Sequence, residues 1–179
     1  MIDYLIILTW MAIVGGVGFI ISRLIGGYPD YFKLFGPVGT QLIFFFILTL
    51  PIGIYLFVTE SGKYRATFGK RTTRLEVIGI NTSVPSRVNI FCRTVMKLLP
   101  WEIAHTFVWQ LQYVFYQNGY DANMPWWIII GLIFSICLVV GYIVMIAIRS
   151  DGKAPHDLLA NTQVILTREE SSSLNVTDR

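Results

Sequence analysis

Three long stretches without a single Asp, Glu, Lys or Arg constrain this chain more than anything else in it: 4–22, 34–59 and 122–148. A typical hydrocarbon core is crossed by about 20 apolar residues in helical form. A backbone in hydrocarbon has no water to bond to, so such stretches must be helices that satisfy their own polar groups. Only 14% of the 179 residues are charged, against roughly 25% in soluble domains. A water-soluble domain is excluded.

The charges that do occur are gathered. Lys63, Arg65, Lys70, Arg71, Arg74, Arg87, Arg93 and Lys97 lie between Glu60 and Lys97, with Glu76 the other acid there. Eight of the fourteen Lys and Arg residues thus sit in one loop, which belongs in the cytoplasm by the positive-inside rule. The stretch 98–118 is apolar and aromatic but contains Glu102, His105, Gln110, Gln112 and Gln117. If it crosses, Arg149 and Lys153 after the last helix also reach the cytoplasm, as their charge prefers. The expected fold is therefore one domain, 1–179, an all-α membrane bundle of four transmembrane helices. Its spans are about 4–22, 38–59, 98–118 and 126–148, with a cytoplasmic loop 60–97 and a cytoplasmic tail 149–179. Both termini are expected on the cytoplasmic side of the cell (inner) membrane.

Local signals refine this outline. Met1-Ile2-Asp3-Tyr4 lacks a basic segment and a cleavage site, so the first helix reads as retained. Gly18 and Ser22 form a small-xxx-small pair suited to close helix approach. Pro51 should kink the second helix, and Gln41 reads as interfacial. Arg71–Ile80 alternates loosely like a strand, and Asn81-Thr82-Ser83 is a turn candidate. Gln163–Thr167 is a second strand on the same membrane face, so a small cytoplasmic β-ribbon is expected. Ser86 should cap a helix that runs to Leu98 and stops at Pro100. Arg168–Arg179 reads as a polar tail. Asn81-Thr82-Ser83 and Asn175-Val176-Thr177 match a glycosylation pattern but fall on the cytoplasmic side. Cys92 and Cys137 suggest neither a disulfide nor a metal framework.

Two cytoplasmic stretches carry a family resemblance. Ala66-Thr67-Phe68-Gly69-Lys70-Arg71 leads into Leu75-Glu76-Val77, and Asp151 precedes His156-Asp157-Leu158-Leu159-Ala160-Asn161-Thr162. Between them lies Arg93-Thr94-Val95-Met96-Lys97. Together these segments resemble the RDD family of small bacterial integral membrane proteins. The resemblance makes Asp151 and Asp157 the family's signature aspartates. The family's N-terminal arginine has no counterpart here, since Asp3 is preceded by none. The resemblance implies either sodium–proton exchange or partnership with other membrane proteins such as proteases.

Candidate chemistry is sparse. No nucleophile–base set, metal-ligand spacing or phosphate loop is present; Gly69-Lys70 lacks the upstream glycine of a P-loop. An enzyme is not expected, and neither a metal nor another cofactor is called for. Glu102 and His105 share a helix face and are a candidate proton relay, although interfacial pairing near Lys97 is the favoured reading. Asp151 and Asp157 are expected to pair with Lys70, Arg71 or Arg93 rather than to capture a cation. Lys70, Arg71, Arg74 and Arg93 are expected to be partners of those acids or contacts for anionic lipid headgroups. The functional expectation is a non-catalytic partner or scaffold in a membrane complex, with a small ion transporter such as a sodium–proton exchanger as the alternative. A protein partner or homo-oligomer is implied, and no nucleic acid.

Overall fold

In the computed structural model, residues 2–80 and 84–167 are described. The expectations for Asn81-Thr82-Ser83, Arg168–Arg179 and Asn175-Val176-Thr177 lie outside the described residues. The elements run α1 (Ile2–Ile25), α2 (Tyr31–Phe44), a π-helix (Phe45–Thr49), α3 (Leu50–Ser61), α4 (Phe68–Thr72), β1 (Leu75–Gly79), α5 (Arg87–Asn118), α6 (Trp126–Ile148), α7 (Pro155–Leu159) and β2 (Thr162–Leu166). The molecule is mostly helical. Three of its helical stretches are long and apolar enough to cross a membrane: Ile2–Ile25, Tyr31–Ser61 and Trp126–Ile148. Their large apolar side chains point outward, as at Leu5, Ile20, Ile54 and Ile143, which suits lipid as the solvent.

α5 packs against α2, α3 and α6. It is one unbroken helix of 32 residues with Pro100 inside it, where a stop was expected. Proline leaves the carbonyl four residues back without its helical donor. That carbonyl belongs to Met96, and the Tyr142 hydroxyl of α6 donates to it at 2.9 Å. Pro51 repeats the device. Its orphaned carbonyl is that of Ile47, which accepts the Trp10 indole N–H of α1 at 3.1 Å. The expected kink at Pro51 takes the form of the adjacent π-helix, and a sharper break occurs at Gly36, whose φ is +63°. Two prolines thus become points of attachment between helices.

α6 meets α5 at Gly131. A Cβ there would come within 2.1 Å of the Phe107 ring, so only glycine permits the approach. Gly18, by contrast, faces open space, and its expected role in packing is not met within this chain. The Ser22 hydroxyl donates to its own helix at the Phe19 carbonyl.

At one end of the bundle lies a cap of short elements. β1 pairs antiparallel with β2, Val77 opposite Val164, as expected for the ribbon, but the first strand starts at Leu75 rather than Arg71, because Arg71 and Thr72 belong to α4. Val77 is fully buried. Asn161 turns the chain into β2 with φ +50°, a conformation asparagine tolerates better than most residues. Ser86 caps α5 as expected, its Oγ accepting from the Asn89 N–H at 3.1 Å.

Candidate functional site

The cap is built around one carboxylate. Glu60 ends α3 and is fully buried. Its Oε1 accepts from Lys70 Nζ at 2.7 Å and from Lys97 Nζ at 2.6 Å. Its Oε2 accepts from Arg93 Nε at 3.0 Å. Arg93, itself 1% exposed, bonds through Nη1 to Thr162 Oγ1 at 3.0 Å and forms an ion pair with Asp157. Asp157 Oδ1 also accepts from Thr162 Oγ1 at 3.3 Å. Asp157 Oδ2 caps α7 by accepting from the Ala154 N–H at 3.2 Å. Five elements, α3, α4, α5, α7 and β2, therefore meet in one network.

The network sets three cationic side chains, Lys70, Arg93 and Lys97, against two carboxylates, and burial pulls Lys97 down to about 7 against the pull of Glu60. Buried charges are tolerated only when paired and hydrogen-bonded, and each member here is. Burial holds the Lys70 ammonium below its ordinary value, against the pull of Glu60. His156 sits beside the network, its ring stacked on Tyr142 with centroids 6.1 Å apart. Burial first, then the charges of Arg93 and Lys97, push His156 down to about 3. It is neutral at physiological pH.

A second anchor joins the chain's beginning to the same cap. Asp3 Oδ1 accepts from the Tyr55 hydroxyl at 2.6 Å and from the Gly69 N–H at 2.9 Å. Its Oδ2 accepts from Thr67 Oγ1 at 2.6 Å. Thr67 is the N-cap of α4, and a Cβ on Gly69 would strike the Asp3 carboxylate at 2.6 Å. The segment Ala66–Arg71 is thereby explained residue by residue. Thr67 and Gly69 hold Asp3, Lys70 holds Glu60, and Arg71 donates to the Ala66 carbonyl while lying over the Tyr64 and Phe68 rings.

The two signature aspartates differ. Asp157 is buried and pairs with Arg93, one of its expected partners; Lys70 goes to Glu60 instead, and Arg71 to its own loop. Asp151 is exposed and accepts from two of the three Arg149 guanidinium nitrogens, Nε at 2.8 Å and Nη2 at 2.7 Å. Those bonds hold its carboxyl well below the usual carboxylate range. Its partner is Arg149, not Lys70, Arg71 or Arg93. Of the two roles expected of them, Lys70 and Arg93 take that of ion-pair partner to an acid, Arg93 with Asp157 and Lys70 with Glu60. Arg74 takes up a left-handed φ of +54° just before β1.

Glu102 and His105 form a separate site. Glu102 Oε1 accepts from Thr49 Oγ1 at 2.5 Å and lies 3.6 Å from His105 Nδ1. Trp101 meets His105 edge-on, centroids 4.4 Å apart. Thr49 is eleven residues from Glu60, about 16 Å of helical rise. Contrary to the expected pairing, Glu102 does not meet Lys97, which goes to Glu60; five residues apart, the two point to different faces. One turn further along, Gln41 donates to Thr106 Oγ1 at 2.8 Å, so Gln41 faces α5 rather than the interface.

Glu60 is what sequence reasoning missed. Its signal was present, since it is one of two acids among eight cations and closes an uncharged stretch. Asp3 and Thr49 had no such signal.

A bundle of long apolar helices closed by a buried ionic cap defines an integral membrane protein with a structural charge network. The sequence model of the RDD family matches residues 1–161, and the chain belongs to that family. No curated protein matches it, and no solved structure does.

Proposed function

We propose that this protein is a non-catalytic partner in a membrane complex. It crosses the cell membrane four times, with 98–118 of α5 as the third crossing and with the cap and both termini in the cytoplasm. The orientation follows from the basic loop. The observation that carries the partner role is the way α1 is attached. It is tied at Asp3 and at Trp10. Beyond these ties a groove of about 780 Å³ opens between α1 and the α2–α3 stretch. Gly15 and Gly18 line it, and both face open space. Small residues on such a face let another helix come close, so the groove suits a transmembrane helix of a partner protein. A photo-crosslinking residue at Gly18 should give one discrete protein adduct in native membranes, and Gly15→Leu should abolish it. Lipid adducts alone would count against the proposal.

The alternative, a small ion transporter such as a sodium–proton exchanger, draws on the Glu102–Thr49 bond beside a π-helix. Ionisable groups within spans and π-bulges are both frequent at functional sites. Purified protein in liposomes with an imposed pH gradient separates the two. Ion flux that Glu102→Gln abolishes would favour transport, and its absence in wild type favours the partner role.

A further inference from the structure

A second groove lies between α3 and α5, with a volume of about 500 Å³. Leu50, Gly53 and Phe57 form one wall, and Phe91, Val95 and Leu98 the other. Gly53 keeps it open, because a Cβ there would come to 3.1 Å from Leu98 Cδ1. At the inner end the Thr49 hydroxyl is spent on Glu102 Oε1, and the surface that the groove presents to a guest is apolar. From Phe57 to Phe45, both lining it, twelve residues rise about 18 Å. That is close to half of a ~30 Å hydrocarbon core, the depth of one leaflet.

One helical turn beyond the Phe91 end of the groove, the same face of α5 carries a positive charge. Arg87, Phe91, Val95, Leu98 and Glu102 recur at helical spacing and form one stripe of α5. Arg87 is exposed and is the first residue of α5, where helix N–H groups favour an anion. The other cations near this level, Lys70, Arg93 and Lys97, are bound to carboxylates.

We propose that this groove holds an acyl chain of an anionic phospholipid, with the lipid phosphate at Arg87. The leaflet is the cytoplasmic one, which rests on the orientation proposed above. The site itself does not depend on that orientation.

The test is native mass spectrometry of the full-length protein in detergent, titrated with phosphatidylglycerol or phosphatidylcholine of identical chains. Phosphatidylglycerol should bind about fivefold tighter, as one Arg near the surface provides. Arg87→Gln should reduce that preference to less than about twofold and leave phosphatidylcholine binding unchanged. Leu98→Trp should fill the groove and weaken both lipids. Should that variant fail to fold, Gly53→Leu fills the same space from α3. Preference retained in Arg87→Gln, or full binding of both lipids in the filled variants, overturns the proposal. Impermeant labelling of single cysteines at Asp30 and Asn123 reads the orientation independently, so a reversed topology would move the site to the other leaflet without touching the binding result.

Discussion

The ionic cap and the membrane layer of this protein are held together by opposite means. In the cap, α4, α7, β1 and β2 have five residues each, too short to persist alone in water. Charge-assisted bonds on Glu60, Arg93, Asp157 and Asp3 assemble them. In the membrane layer the helices are long and self-sufficient, and few of their side chains are buried. Lipid is as apolar as leucine, so burial of apolar surface does not drive those helices together. They are joined largely through backbone, by the carbonyls freed by Pro51 and Pro100, taken by Trp10 and Tyr142, and by the bare surface of Gly131 under Phe107, with the polar pairs Gln41–Thr106 and Thr49–Glu102 beside them. The lesson is that charge organises the wet end of the molecule, and defects in helical bonding organise the dry end.

Breaking the cap should cost most. Glu60→Gln keeps the shape but leaves Lys70, Arg93 and Lys97 without their shared anion. Removing one side of a buried pair costs about 3–5 kcal/mol. The melting temperature of the detergent-purified protein should fall by roughly 10 °C or more. A wild-type melting curve would show that the cap is not what holds the short elements.

Breaking the membrane layer should cost less. Gly131→Val forces α5 and α6 apart at Phe107, an overpacking penalty of about 1–3 kcal/mol. The same melting assay measures it. If Gly131→Val proves more damaging than Glu60→Gln, the ranking of the two regions is reversed.

A pH titration sharpens the account of the cap. In the folded protein His156 is pushed to about 3, and in the unfolded chain it titrates near 6.5. Between these values the unfolded chain binds a proton that the native state refuses. The His156 contribution is therefore whole above about pH 6.5 and is lost as pH drops towards 3, by about 2 kcal/mol at pH 5. His156→Asn should flatten that slope in melting curves recorded from pH 7 to pH 5. A slope that survives the substitution would assign it to another group.

The smallest effect should come from Asp151→Asn. Exposed ion pairs contribute little, so the melting temperature should stay where it is, while Asp157→Asn lowers it by several degrees. Equal effects from the two signature aspartates would erase the distinction drawn between them.

Much of this was legible along the chain. The uncharged stretches, the basic loop, the two strands and the cap at Ser86 follow from local rules of hydropathy, alternation and capping. Pro100 was misread for a physical reason. A proline is a helix breaker only where its orphaned carbonyl has no other donor, and Tyr142 comes from 46 residues away. Gln41 was misread in the same way, because its partner Thr106 is 65 residues distant. The sequence by itself determined the membrane class, the family segments and the cluster of cations between the second and third long helices. Only the tertiary structure decided which carboxylate those cations would share. That choice depends on α3, α4 and α5 converging on one buried point, where the energy of an ion pair is set by the surroundings rather than by the residues' spacing.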